Sequence, residues 1–193
     1  MTDVDVVIRG RKVTLRGKRI NDIEDDYRWR TDEELAMLDA TTAIRISVRE
    51  FTRMFQEEMR YSTPWVRRYG IDTLDGVHIG NCMFYDINTA AGEGELGIMV
   101  GEREYWDRGY GLDAMANLVE ECFKMVSMNR LYLHTLNWNG RARRAFAKCG
   151  FREVREVRRS GRDFVRMEMN REEWDIVRPA LLDLDVADGP DSG

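Results

Sequence analysis

Apolar positions recur along this chain at two periods. Leu112, Met115, Val119, Cys122 and Val126 repeat at spacings of three and four, which predicts one buried face of a long helix. Phe51, Met54, Phe55 and Met59 do the same within Val48–Arg60, where Ser47 followed by Glu50 reads as a capping box. A further helix is expected over Ile20–Arg30 with Asn21 or Asp22 as cap, a short one over Asn139–Lys148, and one over Glu172–Leu184. Between them lie short β-branched runs that read as strands: Val13–Arg16, Pro64–Ile71, Val77–Ile87, Glu95–Gly101, Leu131–Leu136, Phe151–Arg159 and Asp163–Met169. Thr73-Leu74-Asp75-Gly76, Asn88–Gly94 and Ser160-Gly161 supply turns, so most neighbouring strands should be antiparallel. Asp32–Ile46 reads as a loop around a helical turn.

At 193 residues with 43% hydrophobic and 34% charged residues, the chain predicts a single domain with a full-sized core over residues 1–178. Residues 179–193 read as a disordered acidic tail; Asp183, Asp185, Asp188 and Asp191 carry most of the net charge of −5. The body is therefore near neutral, which argues against nucleic acid as a partner. The longest apolar runs are too short for a membrane span, and Asp3, Asp5, Arg9, Arg11 and Lys12 interrupt any N-terminal signal core. Cys82, Cys122 and Cys149 are odd in number and far apart, without zinc spacing, which suits a cytoplasmic protein that holds no metal.

The predicted strand Glu95–Gly101 leads through a polar bend to Trp106-Asp107-Arg108-Gly109-Tyr110-Gly111-Leu112, where the long helix starts. A helix opening on a glycine turn presents unpaired N–H groups and the positive end of its dipole. Gly109 and Gly111 leave those groups open to a phosphate, and Arg108 adds charge at the lip. With Ala114 in the last place the turn also matches the dinucleotide fingerprint, but that pattern needs a carboxylate about 20 residues on. Here the next strand ends Thr135-Leu136-Asn137, and the preceding strands read as antiparallel rather than alternating with helices. A dinucleotide oxidoreductase is thereby the weaker alternative.

Two ordered stretches carry a family resemblance. Tyr105-Trp-Asp-Arg-Gly-Tyr-Gly-Leu-Asp-Ala114 and, about 30 residues later, Asn139-Gly-Arg-Ala-Arg-Arg-Ala-Phe-Ala-Lys-Cys-Gly-Phe151 resemble the coenzyme A motif and second motif of the GNAT superfamily of acyl-CoA-dependent N-acetyltransferases. In detail they are similar to its branch of Rim-type ribosomal-protein acetyltransferases, and Thr14-Leu-Arg and Trp29-Arg-Thr-Asp32 share that flavour. The resemblance covers Val13 to Met169. It implies an α+β fold: a mostly antiparallel mixed sheet of about seven strands, flanked by about four helices and splayed between the fourth and fifth strands. It implies acetyl-CoA as co-substrate, a primary amine or a protein N-terminus as acceptor, and a homodimer as one assembly open to it. The CoA pyrophosphate would lie on the N–H groups from Asp107 through Arg108, Gly109, Tyr110 and Gly111 to Leu112. Pantetheine would pair with Met99, Val100 and Gly101, with Asn139 on its other side and Phe146 beside it. An N–H near Met99 or Val100 would hold the oxyanion.

Direct attack also needs a neutral amine, and deprotonating an alkylamine at pH 7 costs roughly 4 kcal/mol. Two residues are candidate bases: Glu95, eleven residues before Trp106, where several relatives place a catalytic glutamate, and His134, five residues before Asn139. Each also has a structural reading, Glu95 as a solvated residue near a turn and His134 as a paired strand histidine; His78 reads as structural. Phe146 departs from the family, since many relatives carry there a tyrosine that protonates the thiolate, and phenylalanine cannot donate. Tyr110 or Tyr132 could take that role. The same departure keeps a non-catalytic acyl-CoA-binding module open. Around the acceptor stand acidic Asp32, Glu33 and Glu34 and the basic run Arg155–Arg162. The acidic cluster suits a polyamine, an aminoglycoside or a protein N-terminus, and reads more simply as a solvated helix end.

Overall fold

The computed structural model describes residues 7–61 and 63–182; Asp3, Asp5 and the acidic tail aspartates lie outside the described residues. Among the described residues, eight strands form one sheet in the order β1-β2-β3-β4-β5-β6-β8-β7. They are β1 (Val7–Arg9), β2 (Val13–Gly17), β3 (Arg67–Thr73), β4 (His78–Asn88), β5 (Glu93–Val100), β6 (Arg130–Leu136), β7 (Arg152–Arg159) and β8 (Arg162–Asn170). Every neighbouring pair is antiparallel except β5 with β6. One parallel contact in a meander is not the doubly wound sheet of a dinucleotide-binding enzyme, so the oxidoreductase alternative falls on topology.

Six α-helices among the described residues cover the sheet: α1 (Ile23–Thr31), α2 (Glu33–Leu38), α3 (Val48–Arg60), α4 (Tyr110–Phe123), α5 (Gly140–Lys148) and α6 (Arg171–Leu182). On one face, α4 buries Ala114, Met115, Leu118, Val119 and Cys122 against Cys82, Phe84 and Leu96. On the other, α1 packs with α2 and α3. The Ser47–Glu50 capping box is present at the start of α3, as its spacing predicts.

Several local expectations change. Strand β1 is unforeseen; three residues flanked by charge give no readable alternation. The first helix breaks into a 3-10 turn (Ile20–Asp22) and α1, and Asp22 does not cap α1, because Arg16 holds both its carboxylate oxygens at 2.7 and 2.8 Å. Pro64 sits in a turn, and its strand starts only at Arg67. Val126 is 93% exposed, since α4 ends at Phe123 before the next apolar position returns to the buried face. The last helix stops at Leu182 and contains Pro179.

One buried carboxylate ties the sheet edge to α4. Asp113, in the first turn of the helix, accepts the N–H groups of Arg11, Lys12 and Val13 at 3.2, 2.8 and 3.0 Å. It thereby clamps the β1–β2 turn against the helix start, and the N-terminal end of α4 is held from two sides.

Candidate active site

Strands β5 and β6 pair only through Glu93–Glu95 and Arg130–Tyr132; beyond that point β6 turns its ladder to β8 and β5 to β4. This is the splay expected between the fourth and fifth predicted strands. A cavity of about 600 Å³ occupies the gap, closed by α5, the N-terminal end of α4 and the α2 loop.

The open edge of β5 has a defined polarity. Gly101 N–H donates to Ile79 O at 2.8 Å, and Met99 stands opposite Asn81 two residues back in the same ladder. Alternation along an antiparallel strand then turns the Met99 N–H toward β4 and those of Ile98 and Val100 toward the gap. Val100 remains available to a ligand, Ile98 joins it unforeseen, and the N–H groups of Met99 and Gly101 do not face a ligand in the gap. Gly101 is glycine for a different reason: a Cβ there would lie 2.2 Å from the Trp29 ring. The side chain of Met99 still lines the cavity.

Helix α4 opens on Gly109 at φ +85°, in the left-handed region that glycine tolerates. The first carbonyl-bound N–H of the helix is that of Asp113, to Gly109 O at 3.0 Å, so the N–H groups before it precede the intrahelical ladder. A Cβ on Gly111 would meet only Val100 Cγ2, at 3.5 Å, so the space in front of these N–H groups exists because the side chain is absent. That is the fit expected for a pyrophosphate at a helix N-terminus. Asp107, Gly109, Gly111, Leu112, Asn139 and Phe146 all line the cavity, whereas Arg108 and Tyr110 do not. Arg108 turns back to Glu104 O at 3.1 Å, and Tyr110 stacks edge-on with Tyr105 at 4.9 Å.

Basic groups unforeseen in the sequence complete this half. Arg141, Arg144 and Lys148 of α5 line the cavity, and the Arg141 guanidinium lies 3.7 Å over the Trp106 ring. Trp106 is fixed in turn by its indole N–H to Val100 O at 2.7 Å. Their helical spacing is the signal that would have found them: residues 141, 144 and 148 share one face. Asn139 caps α5, its Oδ1 accepting from Ala142 N–H at 3.1 Å.

The two candidate bases meet. His134 Nδ1 lies 2.7 Å from Glu95 Oε1, with each side chain only 5% exposed, and His134 Nε2 is buried without a hydrogen-bond partner. Tyr85 stands directly across the ladder from Glu95, and its hydroxyl favours the ionised carboxylate. Burial opposes ionisation of Glu95, but His134 and Tyr85 outweigh it and hold the carboxyl below its usual range. Burial and the Glu95 charge push the Tyr85 phenol up, so it remains a donor. The result is a fixed line, Tyr85 to Glu95 to His134, with one imidazole nitrogen left over. Glu95 is therefore not a solvated turn residue, and His134 is paired but still carries an unused acceptor position. Phe146 faces the cavity as phenylalanine must, and neither Tyr110 nor Tyr132 lines it; the tyrosines on its wall are Tyr85 and Tyr105. His78 lies elsewhere, within a buried ion cluster. Among the described residues no group of His, Cys, Asp and Glu could hold a metal ion, and no helix is long and apolar enough to cross a membrane.

Comparison with known proteins agrees with this geometry. The model of the acetyltransferase (GNAT) domain matches residues 12–152. Spermidine N-acetyltransferase from Vibrio cholerae, solved with CoA and spermine, superposes with a TM-score of 0.74 at 17% identity, covering 84% of this chain and 97% of that one. Mycobacterium smegmatis RimJ, solved with CoA-disulfide, gives 0.74 at 19% identity over 93% and 96% of the two chains. An aminoglycoside acetyltransferase solved with coenzyme A gives 0.72 at 20% identity over 86% and 99%.

Proposed function

We propose, from the premise that this chain belongs to the acetyltransferase (GNAT) family, that it moves acetyl from acetyl-CoA to a primary amine by direct attack within a ternary complex. The observation that carries this reading is the His134–Glu95 pair, joined at 2.7 Å with His134 Nε2 unpartnered, in the same cavity as the N–H cradle of α4. In the proposed arrangement the cradle, Arg141, Arg144 and Lys148 take the CoA phosphates, and the open edge of β5 pairs with pantetheine. The Val100 N–H, or that of Ile98, faces the thioester oxygen as charge develops there. Holding amine and thioester together can supply about 7–11 kcal/mol in well-aligned cases.

His134 Nε2 accepts the amine proton, while Glu95 fixes the tautomer and stabilises the imidazolium. The new C–N bond forms as the C–S bond breaks, and the electron pair leaves on sulfur. A thiolate whose conjugate acid has a pKa of about 8.5 takes its proton from solvent, so Phe146 does not block the reaction. The resemblance of the residues around Trp106–Gly111 to the Rim-type branch supports assigning the chain to that branch. Its acceptor belongs to the set of protein N-termini, polyamines, aminoglycosides and other small amines, two of which are named for the superposed acetyltransferases.

Thiol release from acetyl-CoA with an amine panel tests the reading. Turnover with at least one amine is expected. Tight acetyl-CoA binding without thiol release from any amine would instead leave the acyl-CoA-binding module.

A further inference from the structure

A second cavity, of about 720 Å³, lies on the sheet face opposite α4, beneath α3. Phe51, Met54, Phe55, Met59, Met83 and Met99 supply its apolar surface. Lys18, Asn81, Asp26, Arg68 and Glu58 of its lining are spent on one another, while Glu57 and Arg60 are exposed on α3 at its wall. Lys18 Nζ and Asn81 Nδ2 each lie 2.7 Å from the Asp26 carboxylate, and Arg68 lies 2.7 Å from Glu58. Paired charges leave apolar contact as the main interaction the cavity can offer, and flexible methionines suit bodies of varied shape.

The ladder shows where this cavity leads. Tyr85 stands opposite Glu95, Met83 opposite Gly97 and Asn81 opposite Met99, so all six project from one sheet face. Glu95 and Tyr85 line the first cavity, Met83 and Asn81 the second, and Met99 both. Gly97 keeps the way open between them, since a Cβ there would come within 3.3 Å of Met83 and 3.4 Å of Tyr85. Arg30 of the second cavity reaches Asp39 of the first at 3.7 Å, a second link along the same trough. At about 6.8 Å per two residues, the floor runs about 13 Å from Glu95 to Met99.

From this continuity we infer that the cavity beneath α3 seats the non-reacting body of the acceptor, and that the acceptor is an amine carrying an aromatic or branched apolar group two to five bonds from its nitrogen. The inference rests on the transferase reading for the identity of its occupant. It excludes a wholly polar polycation as the preferred acceptor. Bodies of this chemistry come from free arylalkylamines and from peptide N-termini with an apolar second residue, whose side chain begins five bonds from the nitrogen.

The test is calorimetric titration of 4-phenylbutylamine, n-butylamine, spermidine and the tripeptide Ala-Leu-Phe into the protein, with and without saturating CoA. Phenylbutylamine should bind about tenfold more tightly than butylamine, the equivalent of burying part of one ring. Met54→Asp, at a position 55% exposed on α3 and so tolerated by the fold, should abolish that preference, as should Met83→Asp. Equal affinity for the two amines, or a preference that survives both substitutions, overturns the assignment. So does preferred binding of spermidine. Whether phenylbutylamine or the tripeptide binds more tightly separates the two sources. A bound arylalkylamine that releases no thiol while another amine does overturns the acceptor assignment; no thiol release from any amine would sink the transferase reading while leaving the cavity's ligand chemistry standing.

Discussion

Replacing Glu95 by glutamine keeps the volume and one hydrogen bond to His134 but removes the charge that stabilises a protonated imidazole. The expected result is a kcat lower by about 10²-fold, the low end of general-base contributions, with acetyl-CoA affinity retained. Steady-state kinetics with a responsive amine checks it; an unchanged kcat would take Glu95 out of the reaction. Because the Glu95 carboxyl is held low by His134 and Tyr85, it remains ionised across neutral pH. The fall of rate on acidification should therefore track protonation of the base or the amine, and should keep its midpoint in Tyr85→Phe if Glu95 stays charged there. Both partners of the dyad were visible as residues in the sequence, but as rivals. Their contact spans 39 positions and depends on the short parallel register of β5 on β6, which no local pattern encodes.

Among the elements, α4 has the most consequential attachment. Asp113→Ala would leave three N–H groups of the β1–β2 turn without their acceptor in a buried place, which predicts a loss of about 3 kcal/mol or more in urea unfolding. A loss under about 1 kcal/mol would mean that water replaces the carboxylate. The glycine turn and the long apolar stripe were legible because each rests on neighbours within a few residues. So was the α3 capping box. The backbone polarity of β5 was not: choosing Val100 and Ile98 over Met99 and Gly101 requires knowing which ladder each N–H joins, and that follows from Ile79 on another strand. Strand β1 escaped for a similar reason, since its three residues are strand only because β2 lies beside them.

Across the whole molecule, a buried charge cluster joins α1 to three strands. Arg16 bonds Asp22 and Asp72, Lys18 bonds Asp26, and His78 lies with Nδ1 3.1 Å from Asp72 and Nε2 3.5 Å from Asp26. Arg16, Lys18 and, at 3.9 Å from Asp72, the more exposed Arg19 face the three carboxylates, and a protonated His78 between Asp26 and Asp72 joins them. Burial opposes that charge, but Asp26 and Asp72 outweigh it and raise the His78 pKa. A raised folded-state value contributes stability below the unfolded pKa of about 6.5 that is lost as pH rises through the folded value. Burial likewise opposes ionisation of Asp22, Asp26 and Asp72, yet their partners lower all three, so that their contribution is lost as pH falls through the folded values. Denaturation midpoints should thus decline on both sides of mildly acidic pH, and His78→Gln should flatten the alkaline side and, because His78 also lowers Asp26 and Asp72, soften the acid side. The fold as a whole was legible through the two motifs and their order. The cluster was not, because its members come from five separate elements and the loop after β2, and only the folded sheet brings them together.

The account depends most on the grip of the α4 N-terminus on a thioester carrier, and calorimetric titration of acetyl-CoA into the wild type and Gly111→Val measures it directly. The wild type should bind, and the valine, which fills the space in front of the N–H groups, should weaken binding at least about tenfold while melting within a few degrees of the wild type. A folded wild-type protein that takes up no acetyl-CoA at millimolar concentration, or a valine variant that binds as tightly as the wild type, would contradict it.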